Sequence, residues 1–427
     1  MKFDVIIIGA GAAGLAAMDE LTESGFKVCM LEAAEVAGGR IATQIPTGFE
    51  TAIETGAEFL HGKSPVTKAL LRRANIEYTE VQGKMIFVRN GVWMEEQEEN
   101  ATPDPLDEKK KDLRADCTIG QFLDTYLPAG EYDEIRKSVT NFAEGFSLAD
   151  INKASFFAFL KEWEALEEAQ YRVKGGYGRL IDALIEWSSA RGGQIKYNET
   201  VRRVEYVKDR VTVFTTHNRQ YEASKLIVTV SAGVLQSGEI SFAPVLGKHD
   251  VAIQQLGFGS VIKLIFLFRE AFWNEREKDI GFLLSDQTIP TWWTQLPDQI
   301  PILTGWLGGP KAALMSSLPQ DKIRESGLNS LANIFGSSIT FLREQLVSSK
   351  IMCWDDHSNI KGGYSYNTID STGAKAILQK PIDDTIYFAG EAVYSGDLGG
   401  TVEAALASGK MAAGMITGKH SHAESNR

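Results

Sequence analysis

Hydrophobic positions open the chain in one block. Phe3 is followed by Val5-Ile6-Ile7-Ile8, a short β-branched run bounded by Gly9, which is the pattern of a strand buried on both faces. Residues 13–24 then read as a helix ended by Gly25, and Phe26-Lys27-Val28-Cys29-Met30-Leu31 gives a second strand. Strand, helix and strand in that order predict the start of a doubly wound parallel sheet. From about residue 80 the texture changes. Residues 85–94 alternate like an antiparallel pair turning at Asn90-Gly91. Residues 119–137 and 152–170 predict helices, and Gly175-Gly176 punctuates the chain before another helix over 177–190. Strands are predicted at 195–197, 201–207, 211–214, 225–230 and 261–268, and mixed texture continues to about 350. The last apolar strand is 385–389, followed by glycine-rich turns and a helix at 401–416.

Buried-sheet texture therefore recurs at the start, middle and end of the chain, with mixed texture between. This predicts two interleaved domains and no internal repeat. Residues 1–79, 174–252 and 352–418 would form the nucleotide-binding one, and 80–173 with 253–351 the substrate-binding one, with 419–427 a flexible tail. The fold class is α/β (α+β overall).

Composition narrows the reading. The 427 residues are 44% hydrophobic and 23% charged, ordinary for globular domains. A net charge of −12 argues against general nucleic-acid binding and tolerates cationic small molecules. Cys29, Cys117 and Cys353 lie far apart, form no metal-spaced pair, and fit a reducing, cytoplasmic setting. There is no apolar run long enough for a membrane span. The charged run at 95–112 reads as a solvated loop and helix start.

The chemistry begins at Gly9-Ala10-Gly11-Ala12-Ala13-Gly14, between the first strand and the first helix. Gly9 permits the tight turn, Gly11 lets a pyrophosphate approach the backbone, and Gly14 allows close helix–strand packing. The helix N-terminus around Ala13 offers N–H groups and partial positive charge to phosphate. Glu32, followed by Ala33, ends the second strand where a carboxylate accepts hydrogen bonds from an adenosine ribose, and it would repel the 2′-phosphate of NADP. Gly38-Gly39-Arg40 could lie close to a pyrophosphate and neutralise it.

These motifs, with Glu54-Thr55-Gly56-Ala57-Glu58-Phe59-Leu60-His61-Gly62, together resemble the flavin-dependent amine oxidases. That superfamily includes monoamine oxidases, polyamine oxidases and lysine-specific histone demethylases. The resemblance extends over nearly the whole chain. Gly175-Gly176-Tyr177 to Leu180 resembles the family's return into the flavin domain, and Gly259-Ser260-Val261-Ile262-Lys263-Leu264 its lysine-bearing strand, with Phe272-Trp273 beyond. Trp354 with Gly362-Gly363-Tyr364-Ser365-Tyr366 resembles the segment flanking the flavin ring. Ala389-Gly390-Glu391 and Gly400-Thr401-Val402 to Gly409 resemble the terminal flavin motif.

The resemblance implies a Rossmann-like FAD-binding domain (GR2-type) with an interleaved substrate domain of mixed sheet plus helices. It implies extended FAD, its ADP at the N-terminal glycines. The expected cofactor contacts are Gly9, Gly11, Ala13, Gly14, Glu32, Ala33, Gly38, Gly39, Arg40, Gly56, Ala57, Glu58, Val201, Trp354, Gly390, Glu391, Gly400, Thr401 and Val402. Val201 would bond the adenine through its backbone, and Val402 would open a helix toward the flavin's pyrimidine end. Lys263 sits in an apolar strand where a lysine is expensive to bury without a partner; its family role is to hold a water against the flavin. No metal or nucleophilic triad is expected.

Departures from the family refine the activity. Tyr364 stands where monoamine oxidases carry the cysteine that bonds the flavin, so FAD is expected to be non-covalent, with Cys353 a small buried residue. Thr401 replaces an aromatic-cage tyrosine, which leaves Tyr366 and Trp354 as the expected aromatic wall and Trp292-Trp293 as either contributors or core. Leu60-His61-Gly62 and Thr401 resemble polyamine oxidases, with His61 able to adjust amine protonation. Glu162, Glu164, Glu167 and Glu168 could hold a distal ammonium or form a solvated helix face. The expected reaction is oxidation of a small amine with O2, in a monomer or homodimer. A monoamine oxidase, an L-amino acid oxidase and a catalytically silent flavin protein are the alternatives. With no long helical insertion, histone demethylation is not expected.

Overall fold

A computed structural model describes residues 2–95, 105–164, 169–396 and 398–419, apart from the side chains of Asp107 and Glu164. The opening block forms the strand Lys2–Ile8, and Val5 to Ile7 are wholly buried. It is central in a sheet because its partners are parallel on both sides: Val28–Leu31 and Gln220–Val228. Gln194–Lys196 and Ile386–Phe388 extend the parallel set. Val201–Val207 and Arg210–Thr215 add an antiparallel meander, with Ser241–Ala243 at its edge. Strands from the start, middle and end of the chain thus meet in one sheet, as recurrent apolar runs implied.

Apolar helices cover one face of this sheet. Ala12–Glu23 packs against Val402–Thr417, where a Cβ built on Gly409 would lie 2.0 Å from Ala13 O. Small residues set this crossing distance. The carboxylate of Glu403 reaches sideways to the helix Pro65–Arg73 and accepts Val66 N–H at 2.9 Å and Thr67 N–H at 2.7 Å. A buried acid thus serves as the start signal of a helix distant in sequence.

A second sheet holds, in order, Leu346–Cys353, Val261–Phe268, Ile302–Gly308, Thr291–Trp293, Ile280–Ser285, Lys84–Arg89 and Val92–Glu95. Asn90-Gly91, both at positive φ, turns the last pair as the alternation predicts. A helical cluster of Ile119–Tyr126, Asp133–Gly145 and Phe156–Glu164 lies beside it.

The helix predicted over 119–137 is two helices. Leu127-Pro128-Ala129-Gly130 lies between them, with Gly130 at φ +93°. The helix predicted over 152–170 begins at Phe156, and Gln170–Val173 is instead a strand between Phe59–His61 and Tyr78–Glu80. Its length is too short for periodicity to separate the two states. Residues 96–104 of the charged run, residues 420–427 of the tail, Glu167 and Glu168 lie outside the described residues. Among the described residues, no helix is long and apolar enough to cross a membrane.

Candidate active site

The cavity of interest begins where the first sheet ends. Gly9 turns at φ +102°, and a Cβ on Gly14 would sit 2.1 Å from Gly9 O, so helix and strand meet there without side chains. The helix N-terminus has no side-chain cap. Its first-turn N–H groups have no intrahelical acceptor and lie along the cavity, which Gly11, Ala12 and Ala13 line. Glu32 and Ala33 line the same groove. The Glu32 carboxylate is held by Ala10 N–H at 2.6 Å and Ala34 N–H at 2.8 Å, while burial pushes its pKa up. Val201, Gly38 and Gly39 complete this end.

Arg40 joins three segments distant in sequence. Its Nη1 donates to Gly363 O at 2.8 Å and to Glu391 at 2.6 Å. Glu391 also accepts the Ser365 hydroxyl at 2.5 Å. Both Arg40 contacts use one nitrogen, and the rest of the guanidinium fork is free to meet a phosphate. A Cβ on Gly390 (φ +143°) would meet nothing within 4 Å, although Gly390 lines the cavity. That open strip beside backbone is the room a dinucleotide needs. Gly56, Ala57, Gly400 and Val402 also line it. Thr401 caps the terminal helix, accepting Ala404 N–H at 3.2 Å and donating to Leu398 O at 2.6 Å.

The groove opens into a chamber, and together they enclose 2410 Å³. One drug-sized ligand fills about 300–1,000 Å³, so cofactor and substrate fit together. The chamber's wall is the Val261–Phe268 strand. Antiparallel register sets Lys263 directly opposite Trp306, and both line the chamber. Lys263 is 1% exposed. Its Nζ donates to Glu58 at 2.7 Å and to Gly56 O at 3.1 Å, and lies 5.5 Å from the centre of the Trp293 ring. The Trp306 and Tyr364 rings lie near-parallel, 24° apart with centroids at 6.4 Å. Each is tied to the same helix end: Trp306 Nε1 donates to Gly145 O at 2.7 Å, and the Tyr364 hydroxyl donates to Phe146 O.

His61 ends its short strand between Phe59 and Phe146, with ring centroids at 6.3 and 6.1 Å. Burial there pushes its pKa down to about 4, so the imidazole is neutral at pH 7. Glu162 turns into the chamber and accepts the Ser147 hydroxyl at 2.5 Å. Burial raises its pKa, against lowering by that bond and by Lys375. Among the described residues, no group of three or more His, Cys, Asp or Glu could hold a metal ion.

Most of the expected residues therefore share one cavity. Tyr366 does not: it packs into the helical cluster, away from the chamber, whose lining rings include Tyr364 and Trp306 instead. A regular strand would send Tyr364 and Tyr366 to the same face. Pairing here covers only Ser365–Tyr366, and Tyr364 belongs to the bend after Gly362-Gly363. Trp354 lines the cavity, donating to Thr55 O at 3.1 Å and stacking on His357. The Trp292-Trp293 pair splits by strand alternation, with Trp292 in the core and Trp293 at the chamber. Trp306 was not singled out because its position depends on strand register, which local pattern does not fix.

Comparison with known proteins agrees with this geometry. Residues 121–417 match the family model of flavin containing amine oxidoreductases, and residues 7–74 match that of NAD(P)-binding Rossmann-like domains. The chain is 24% identical over 433 residues to lysine-specific histone demethylase 1 homolog 2 of Oryza sativa subsp. japonica, covering 91% of this chain and 54% of that protein. It is 25% identical over 431 residues to the mouse lysine-specific histone demethylase 1B, covering 91% and 50%. It thus spans about half the length of these relatives. Putrescine oxidase bound to putrescine has the same fold, at TM-score 0.82 and 20% identity over 98% of this chain and 99% of that one. So does cyclohexylamine oxidase from Brevibacterium oxydans, at TM-score 0.80 and 19% identity over the same shares. A family match over more than half its length, with a groove and chamber of the expected form, places the chain among the flavin containing amine oxidoreductases, with FAD as its cofactor.

Proposed function

We propose that this protein is an FAD-dependent oxidase of small amines, and that its preferred substrates carry a second cationic group. The observation that carries the reading is the chamber itself. A buried lysine and a near-parallel aromatic pair line the same cavity as the dinucleotide groove, together with the half-buried carboxylate of Glu162. The overall reaction for a primary amine is R–CH2–NH2 + O2 + H2O → R–CHO + NH3 + H2O2. FAD, when bound, would supply the two-electron acceptor for the C–H bond, with O2 as the final oxidant.

The chain's own residues hold FAD and orient the amine. Gly9 to Gly14, Glu32, Ala33 and Val201 would take the ADP end. Arg40, Gly390 and Glu391 would take the central stretch, and Gly56, Ala57, Trp354 and Gly400 to Val402 the ring end. Among the described residues no cysteine lines the cavity, which supports a non-covalent cofactor. Trp306 and Tyr364 would clamp the amine between their faces and favour positive charge growing on nitrogen. A neutral His61 avoids repelling a cationic substrate and can accept its N–H. Lys263 can hold a water at the wall through its remaining donor. Glu162 would meet a distal ammonium, which restores the charged form that burial disfavours. Glu164, Glu167 and Glu168 are not needed for this.

The test is a panel of di- and polyamines, monoamines, L-amino acids and a methyl-lysine peptide, read by peroxide release. Preference for diamines or polyamines supports the proposal. Turnover of amino acids or the peptide alone would move the substrate class.

A further inference from the structure

The buried lysine does not stand alone. Glu58 Oε2 takes Lys263 at 2.7 Å, while Oε1 takes Arg172 Nε and Trp293 Nε1, each at 3.0 Å. Arg172 is itself fixed, donating to Leu296 O at 2.8 Å and Thr294 O at 2.9 Å, with its guanidinium over the Phe59 ring. The side chains of Lys263 and Glu58 are 1% and 7% exposed. A carboxylate this buried is expensive unless each oxygen is satisfied, and here every partner is a donor. Only one more donor position of Lys263 remains open once Glu58 and Gly56 O are met.

We propose that Glu58 is the positioning residue of Lys263: it pins the ammonium against the Gly56 carbonyl and would so fix where that group stands against bound flavin. The sequence motif counted Glu58 among cofactor contacts; its oxygens are instead committed to Lys263, Arg172 and Trp293. The charged and titratable groups facing Lys263 are Glu58, Glu54 across the same loop, and Arg172 beyond the carboxylate, with neutral His61 further along the strand pair. Without Glu58, the two cations Lys263 and Arg172 would face each other across its place, with no anion between them to hold the ammonium where it is. The inference rests on FAD binding and not on which amine is oxidised.

The variants are Glu58→Gln, Glu58→Asp, Lys263→Met and the Glu58→Gln/Lys263→Met double. With FAD bound, the flavin midpoint potential is measured against pH. The expected result is a pH profile for Glu58→Gln that departs from that of the wild type. That difference vanishes in the double variant and is absent from Glu58→Asp. In the FAD-free chain, Glu58→Gln lowers the melting temperature and adding Lys263→Met restores part of the loss. Superposable pH profiles for wild type and Glu58→Gln would overturn the proposal. If Glu58→Gln does not fold, a double variant that also fails to fold overturns it equally, because Arg172 alone would then need the carboxylate.

Discussion

At the residue scale, the chamber works by controlling which groups are charged. The Lys263 side chain is tied to Glu58, whose pKa is held below the ordinary value, and His61 is held neutral at pH 7. The Lys263→Met variant should keep bound FAD and lose turnover by on the order of 100-fold, the usual contribution of one well-placed proton-handling group. Unchanged turnover would refute the role. His61 gives a pH prediction with a definite sign. Its folded pKa, about 4, lies below its ordinary 6.5. The unfolded chain therefore binds the proton first, and stability falls as pH drops from about 6.5 to about 4. Thermal unfolding of the FAD-free chain should show this slope, and His61→Gln should flatten it. Glu58 acts lower. Its lowered pKa stabilises the fold above about 4.5, the ordinary value, and that contribution is lost as pH falls through the depressed folded value. The destabilisation by Glu58→Gln should thus shrink in strong acid.

At the element scale, the site depends on close approaches that only glycine allows. Gly409 on the terminal helix meets Ala13 O on the first helix, and Gly14 meets Gly9 O. Both contacts involve backbone, which cannot rotate away. Gly409→Ala should cost about 1–3 kcal/mol by overpacking and weaken FAD binding, because it pushes on the helix whose N-terminus lines the groove. Calorimetry with a flavin titration reads both effects, and a stability change below a few tenths of that range would show that the crossing is slack. These elements were legible in the sequence because their signals are local: a β-branched run, a glycine spacing, a carboxylate after the second strand. The gap between the helices at 126 and 133 was missed although Pro128 and Gly130 marked it. The strand Gln170–Val173 carries too few residues to show a period. The aromatic wall was misread at Tyr366 because the bend at Gly362-Gly363 lets Tyr364 leave the face that regular alternation would assign.

For the whole molecule, the decisive facts are non-local. Lys263 meets Glu58 across 205 positions, Trp306 sits opposite Lys263 by register, and Arg40 bonds Glu391 across 351 positions. Strand pairing and loop closure create those meetings, so spacing alone could name the lysine but not its partner. The −12 charge remains compatible with a cationic substrate without choosing one. Since the cavity spans both sheets, FAD should tie them together. Saturating FAD at about 100 times its Kd should add about 2.7 kcal/mol of stability, seen as a single unfolding transition moved upward. An unchanged transition would mean that the groove is not filled. The central claim is tested most directly by mixing the FAD-loaded protein anaerobically with putrescine or spermidine, then admitting oxygen. The account predicts that the yellow flavin absorbance bleaches, and that it returns with one peroxide per flavin. Flavin that stays oxidised with every amine offered would contradict it.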